Sequence, residues 1–542
     1  MITVRTVRCL TPFNDPGTPA ADPTPNLLKR VRLRTTEPVD ELASTPTGRS
    51  AWRLILGPAL AAAVLLFGPA DPKVARMAAV AVWMAAWWVT EAVPIPVTAL
   101  LPLVLLPLLG LAKIGTVGPA YGRPTIFLFL GGFLLALGLE ATGLHRRMAL
   151  FLVYKVGSKP RGLLLGFMLS SGLLSAWISN TATVMVHLPI ALSVLAAVSD
   201  RGAGDVDVKR LGTAVLLAVS YAASIGGMAT LVGTPPNLIY RDQLRSLFPR
   251  APVPSFAEWM TLGVPLSVVF LGIGWLLLSR VAFRLGNKPL LGSRDAIAAL
   301  RRELGPMRRD EVVAAAVFVV TALLWVTRAG IGNLPGWSDA RIFRGKGIDD
   351  GVVAIAAAVV LFMLPSHDRP GERILQWRDT ARLPWGMLLV FGGGFALADG
   401  FQSSGLSTWL GERLAALHGL PPIALMVIVC AGLTMLTELT SNTATTTAIL
   451  PVLAAAAVAT GTDPRYLMIP ATLSASCAFM LPVGSPTQTI VFGSGLIPMR
   501  DMVRAGIWFN LAGVVLVVLL FTLLAGPAMG ISPGVLPAWA RP

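Results

Sequence analysis

The chain has 542 residues, 54% of them hydrophobic and only 13% charged, about half the charged share of a soluble domain. Its net charge of +16 would suggest nucleic acid in a soluble protein. On so apolar a chain it is the excess of Lys and Arg expected in cytoplasmic loops of a polytopic membrane protein, so no nucleic-acid partner is expected, and three distant cysteines (Cys9, Cys430, Cys477) with four scattered histidines (His145, His187, His367, His418) exclude a disulfide framework or a zinc site.

Residues 1–53 are rich in Pro and Arg and lack an apolar core. This predicts a disordered cytoplasmic tail, not a signal peptide, with Lys29, Arg30, Arg32 and Arg34 as candidate lipid-headgroup contacts. A leading transmembrane helix is predicted within 54–75. Further apolar segments follow at about 76–90, 97–112, 125–144, 163–198, 211–240, 262–283, 311–327, 351–365, 386–410, 422–459, 464–497 and 505–526.

Most of these fit one span, but 163–198 and 422–459 are too long for one and short for two with a loop. Each carries the same polar tetrapeptide near its middle: Ser179-Asn180-Thr181-Ala182 and Ser441-Asn442-Thr443-Ala444. Polar groups without partners are costly in hydrocarbon, so each segment is predicted to be a re-entrant helical hairpin with its polar tip enclosed by protein. A second kind of break follows each hairpin. Gly233-Thr234-Pro235-Pro236-Asn237 ends 211–240, and Gly484-Ser485-Pro486-Thr487-Gln488 lies in 464–497. Proline interrupts a helix by removing a donor and clashing with the preceding turn.

The two sets of features keep a fixed spacing. Gly131 and Gly393, Gly138 and Gly400, Gly143 and Gly405, and the two tetrapeptides are each 262 apart, whereas the two breaks are 251 apart. The expected fold is therefore all-α, with about 11 transmembrane helices, two hairpins and two repeats, 76–305 and 306–542. Hairpin tips fall at 179–181 and 441–443, and broken helices at 233–237 and 484–488. Five spans per repeat invert one half relative to the other. With the N-terminus inside, cytoplasmic segments hold 30 of the 44 Lys and Arg residues, and the C-terminus lies outside a cell or inner membrane.

Tips and breaks offer Ser, Thr, Asn, Gly and Pro but no Lys or Arg. Half-helix N-termini carry free N–H groups and partial positive charge, which suit an anion. Carbonyls and hydroxyls of unwound backbone suit a hard cation such as Na⁺. The residues thus indicate cation-coupled anion transport. No motif of an intramembrane hydrolase is present, so no enzymatic activity and no organic cofactor are expected, and closed hairpins argue against an anion channel.

The chain is similar to the divalent anion/sodium symporter (DASS) family over roughly 54–526. The likeness rests on the paired Ser-Asn-Thr motifs, SIGGMATLVGTPPN (224–237), TEAVPIPVTALLP (90–102) and SCAFMLPVGSPTQTIVFGSG (476–495). The resemblance implies a homodimer whose scaffold and transport domains move against each other as an elevator, carrying C4-dicarboxylates with Na⁺. Sulfate or citrate, or an exchange cycle, are its alternatives. It also implies one sodium site at Ser175, Ser179, Asn180 and Gly233 and another at Thr437, Thr440, Asn442 and Gly484. Substrate would meet Asn180, Thr181, Asn442 and Thr443, with Thr234 and Ser485 completing the pocket. The chain departs from the family at Pro486-Thr487-Gln488, where Pro-Pro-Asn is usual, at Thr440 and Gly484, where Ala is expected, and at His187. Elsewhere, Glu140 and Asp399 are expected to cap or pair within helices, and Glu91 and Glu438 to pair structurally beside polar turns.

Overall fold

Glycine and proline punctuate the apolar runs into helices. A computed structural model describes residues 51–541 apart from 157–158, 200–204, 287–292, 331–334, 341, 344–345 and 415–418. Among the described residues the fold is all-helical, with one isolated β-bridge between Pro365 and Arg373. Residues 1–50, including the basic cluster 29–34, lie outside the described residues.

The chain opens with α1 (Ala51–Phe67) and α2 (Pro72–Thr90). Asp71 caps α2 by accepting from the backbone N–H groups of Lys73 and Val74. The segment expected at 97–112 is two short helices, α3 (Ile95–Thr98) and α4 (Leu101–Leu108), with Pro96 and Pro102 at their first turns. After α5 (Ile114–Val117), seven helices follow in order: α6 (Pro124–Thr142), α7 (Leu144–Val156), α8 (Pro160–Ser175), α9 (Asn180–Ser199), α10 (Asp205–Gly227), α11 (Pro235–Leu247) and α12 (Phe256–Leu276). Next come α13 (Ser293–Glu303), α14 (Arg309–Thr327) and α15 (Asp350–Met363). The same order of seven then recurs as α16 (Trp385–Ser404), α17 (Leu406–Leu414), α18 (Pro422–Thr437), α19 (Asn442–Ala459), α20 (Pro464–Ser474), α21 (Pro486–Phe492) and α22 (Met499–Leu520).

Gly143 and Gly405 end α6 and α16 in the left-handed conformation, at φ 79° and 80°, and their N–H groups bond back to Glu140 and Gln402. They start two helices, α7 and α17, that periodicity alone does not reveal. The amphipathic α13 was also not anticipated. Seven described helices are long and apolar enough to cross a membrane, and four shorter apolar ones accompany them.

Close helix approach depends on glycine. A Cβ on Gly131 of α6 would stand 2.5 Å from that of Ala354 in α15. A Cβ on Gly393 would stand 2.4 Å from the Ala99 carbonyl, and one on Gly394 2.2 Å from the Thr447 methyl group. Two further glycines press the last helix of each set onto unwound backbone. A Cβ on Gly263 of α12 would lie 2.6 Å from the carbonyls of Met228 and Ala229, and one on Gly506 of α22 would lie 2.2 Å from that of Phe479. Gly506→Val is therefore expected to cost about 3 kcal/mol of stability by overpacking. A lower melting temperature in detergent would show it, and Gly272→Val, where nothing lies within 4 Å of the added Cβ, should melt like the parent.

Candidate functional site

The first hairpin tip occupies Ala176–Ser179, between the end of α8 and the start of α9. Ser179 Oγ accepts from the Ala182 N–H at 3.3 Å, which opens α9. The Asn180 amide lies inside the tip. In the orientation that satisfies both its ends, its nitrogen donates to Ser175 Oγ (2.6 Å) and to the carbonyls of Gly233 (3.2 Å) and Ala223 (3.3 Å). The break between α10 and α11 folds around the same point. Thr230 Oγ1 donates to the Ala176 carbonyl and accepts from the Gly233 N–H. A Cβ on Gly233 would stand 2.5 Å from the Gly227 carbonyl and 3.0 Å from that of Ala176, so only glycine fits. Asn237 bridges the break, donating to the carbonyls of Thr230 (2.7 Å) and Gly227 (3.2 Å).

The second tip, 438–441, and its break, 475–485, repeat this plan with different side chains. A Cβ on Gly484 would lie 3.2 Å from the carbonyls of Thr437 and Glu438. Gln488 Nε2 donates to the Ala478 carbonyl, and both residues stand 251 positions after Asn237 and Gly227. Gln488 therefore bridges its break as Asn237 bridges the first. Thr487, in place of proline, pairs its hydroxyl with Ser485 Oγ at 2.8 Å. The Thr437 hydroxyl turns back to the carbonyls of Leu433 and Thr434, and Thr440 Oγ1 bonds Leu436 O and Thr445 Oγ1. At this second tip the backbone oxygens of Thr437 and Glu438 face Gly484. Asn442 Oδ1 is buried without a partner, whereas Asn180 is held.

The two assemblies interlock. Helix α11 packs along α19, and α21 packs along α9 and α10. Gln243 Nε2 donates to the Thr447 carbonyl at 2.9 Å. Tyr221, on α10, donates to the Phe479 carbonyl in the second break at 2.7 Å. Thr234, Ser441 and Ser485 precede α11, α19 and α21 in extended backbone, and none of them caps its helix with its side chain. The N–H groups that remain free at these helix starts keep their partial positive charge, with Pro235, Pro236 and Pro486 contributing none. Among the described residues, the hydroxyls of Thr181, Thr234 and Thr443 make no hydrogen bond to protein. Such an assembly can hold an anion by dipoles and hydroxyls, and cations by carbonyls.

Other charged residues have structural partners. His187 bonds Ser170 Oγ and the Thr183 carbonyl. Glu140 and Asp399 pair across elements, not within helices: Glu140 with Arg382, and Asp399 with Arg123 and Ser246. Glu91 is the exception: no side-chain pairing is found for it among the described residues, and it ends α2, exposed, in the left-handed region at φ 46°. Glu438 accepts from three consecutive backbone N–H groups. Thr230, Tyr221 and Asn510 also shape the site. Only Thr230 has a local signal, a Thr three residues before the break glycine.

The tips differ in what covers them. Trp177 packs against Phe318 of α14 and Phe256 of α12, and Val232 is 9% exposed. Their counterparts 262 and 251 positions on, Leu439 and Val483, are 66% and 68% exposed.

Residues 50–530 match the family described as the sodium:sulfate symporter transmembrane region. The chain is 41% identical over 486 residues to the sodium-dependent dicarboxylate transporter SdcS of Staphylococcus saprophyticus, covering 88% of this chain and 92% of that protein. The protein of the same name from Staphylococcus aureus is 42% identical over the same lengths. Among solved structures, the YdaH transporter of Alcanivorax borkumensis shares the fold at a TM-score of 0.52 with 13% identity, over 77% of this chain and 87% of that one.

Proposed function

We infer the function from one premise: the chain belongs to the sodium:sulfate symporter family. It is a multi-pass membrane transporter of small anions, and we propose that it couples inward movement of Na⁺ to that of a C4-dicarboxylate such as succinate, malate or fumarate. The observation that carries the reading is the duplicated meeting of a Ser-Asn-Thr tip with a break glycine, Gly233 against the Ala176 carbonyl and Gly484 against those of Thr437 and Glu438. The SdcS relatives are named dicarboxylate transporters, which supports carboxylate over sulfate or citrate.

In this reading Na⁺ is cargo. Ser175, Ser179, Asn180 and Gly233 hold one ion. Thr437, Thr440, Asn442 and Gly484 hold the other, there through backbone oxygens. The substrate carboxylates face Asn180, Thr181, Asn442 and Thr443, with Thr234 and Ser485 at the half-helix ends. Neutral dipoles bind a dianion weakly until cations arrive, so anion and cations load together and neither crosses alone.

The two repeats, 76–305 and 306–542, are inverted, and eleven spans with two re-entrant hairpins give a cytoplasmic N-terminus and an external C-terminus in the cell membrane. The uneven cover of the tips supports alternating access. Trp177 and Val232 lean on the surrounding helices while Leu439 and Val483 do not. Exchanging these roles between the repeats describes the opposite state, reached by an elevator movement of hairpins and broken helices against a scaffold that pairs in a homodimer.

Radiolabelled succinate uptake into proteoliposomes tests the reading. An inward Na⁺ gradient should accumulate succinate, K⁺ should not, and malate should compete better than sulfate. Equal uptake with Na⁺ and K⁺ removes the symport reading, and sulfate competing better than every dicarboxylate removes the substrate.

A further inference from the structure

The second tip carries a carboxylate where the first carries a methyl group. Glu438 and Ala176 are 262 apart and hold the same place, immediately after Thr437 and Ser175. Glu438 is 3% exposed. Its Oε1 accepts from the backbone N–H groups of Phe479 (2.7 Å) and Met480 (2.9 Å) and from Asn510 Nδ2 (2.7 Å), and its Oε2 accepts from the Leu481 N–H at 2.8 Å. Four donors to one carboxylate fix the course of the second break from Phe479 to Gly484.

These donors bring no counter-charge. Of the other buried carboxylates, Asp242, Glu311, Asp350 and Asp463 are each paired with arginine, and Asp310, held like Glu438 by backbone and hydroxyl donors, still has His367 at 3.5 Å. Among the described residues no Lys, Arg or His lies within ion-pair distance of Glu438. A buried charge without a counter-charge is costly in an apolar surrounding. Meanwhile the main-chain carbonyl of Glu438 is one of the two that would stand 3.2 Å from a Cβ added at Gly484. One residue thus sets the backbone that offers oxygens at the second tip and places a negative charge beside them.

We propose that Glu438 is a positioning residue that makes the cation site at Gly484 the tighter of the two, with the bound alkali cation supplying the counter-charge the protein leaves out. The site at Gly233, with Ala176 in the equivalent place, has no such charge and fills at higher Na⁺ concentration. This inference rests on the proposed Na⁺ coupling and deepens it by ranking the two sites.

The test uses the full chain, purified and reconstituted. Na⁺ alone is titrated by intrinsic tryptophan fluorescence and by thermal stabilisation, with K⁺ as control. Uptake then gives the half-saturating Na⁺ concentration separately from the succinate KM at saturating Na⁺. The parent should show two classes of Na⁺ site. Glu438→Gln should lose the tighter class and raise half-saturating Na⁺ about tenfold, with succinate KM changed less than about threefold, while Glu438→Asp restores most of the affinity. A purely structural role would lower folded yield and move both constants together. If Glu438→Gln does not fold, Ser175→Ala decides the matter, because it should remove the weaker class and keep the tighter one. An unchanged Na⁺ response in Glu438→Gln, or loss of the tighter class in Ser175→Ala, overturns the ranking of sites. A parent that responds equally to Na⁺ and K⁺ overturns the coupling itself.

Discussion

Asn180→Ala and Asn442→Ala should each lower sodium-driven succinate uptake at least about 100-fold, yet differ in what they do to the fold. A hydrogen bond to a charged group contributes about 1.5–3 kcal/mol; either truncation removes a side-chain contact to a substrate carboxylate, and Asn180→Ala removes one to a cation as well, which accounts for the loss of transport. Stability separates the pair. Asn180 is tied to Ser175 and to the carbonyls of Ala223 and Gly233, so its truncation opens the contact between the first tip and its break. Those partners are left buried, at a cost of about 1–3 kcal/mol. The Asn442 carbonyl oxygen is buried with no partner, so truncation there removes an unsatisfied group and should leave the ligand-free melting temperature unchanged or slightly higher. Melting of both variants without substrate, beside uptake at matched protein content, measures the contrast. Near-normal uptake by either variant would falsify the proposed site. Equal destabilisation by both would mean that Asn442 is held as firmly as Asn180.

This contrast was not legible in the sequence, where the two tetrapeptides are identical. What could be read was the frame. Segments too long for one span and Gly-x-Pro interruptions indicate a tip and a break in each half. The turns, however, lie at 176–179 and 438–441, ahead of the expected 179–181 and 441–443, and the breaks at 228–234 and 475–485, mostly ahead of 233–237 and 484–488, because Asn180, Asn442, Pro235 and Pro486 already begin helices. The hidden part is the choice of partner. Ser175 lies five residues before Asn180 and bonds it, but Thr437, in the same place, turns its hydroxyl back to Leu433 and Thr434. Thr440, where the first tip has Ile178, instead ties itself to Thr445. A threonine's choice between its own helix and a distant amide is settled by packing, which spacing does not encode. Gln488 shows the reverse case. It read as a departure from an expected Asn, but its extra methylene still allows the bond across the break that Asn237 makes in the first set. The helices α7 and α17 were hidden for another reason: Gly143 and Gly405 were visible as a matched pair, but a repeat of glycines does not reveal that the chain turns there.

Asp350→Ala should be the most destabilising single change away from the site, at about 3–5 kcal/mol. Asp350 opens α15 and is 1% exposed. Its Oδ2 accepts from Arg241 Nη1 at 2.8 Å, and its Oδ1 accepts from Arg328 Nε at 2.5 Å. The two arginine side chains are only 10% and 15% exposed. Removing the carboxylate leaves two like charges facing each other with little water between them. It also removes an acid from a helix N-terminus, where it is favoured. Replacing all three by apolar residues of similar volume (Asp350→Leu, Arg241→Met, Arg328→Met) should recover most of the loss, because the desolvation cost disappears together with the attraction. Melting of Asp350→Ala, the triple variant and the parent in one detergent checks both statements, and parent-like melting of Asp350→Ala would mean that solvent screens the triad. The triple variant then isolates what the charges do beyond stability. Arg241 sits on α11, the half-helix that begins at Thr234 and reaches α19 through Gln243, whereas Asp350 and Arg328 belong to α15 and the end of α14. The triad therefore joins the helix that ends at the binding site to helices outside it. If the proposed elevator cycle moves α11 relative to α15, this bond must break and reform each turn. A triple variant that melts like the parent but turns over at a different rate is the result expected of such a joint, since apolar contacts at the same place are cheaper to slide apart than an ion pair between buried charges.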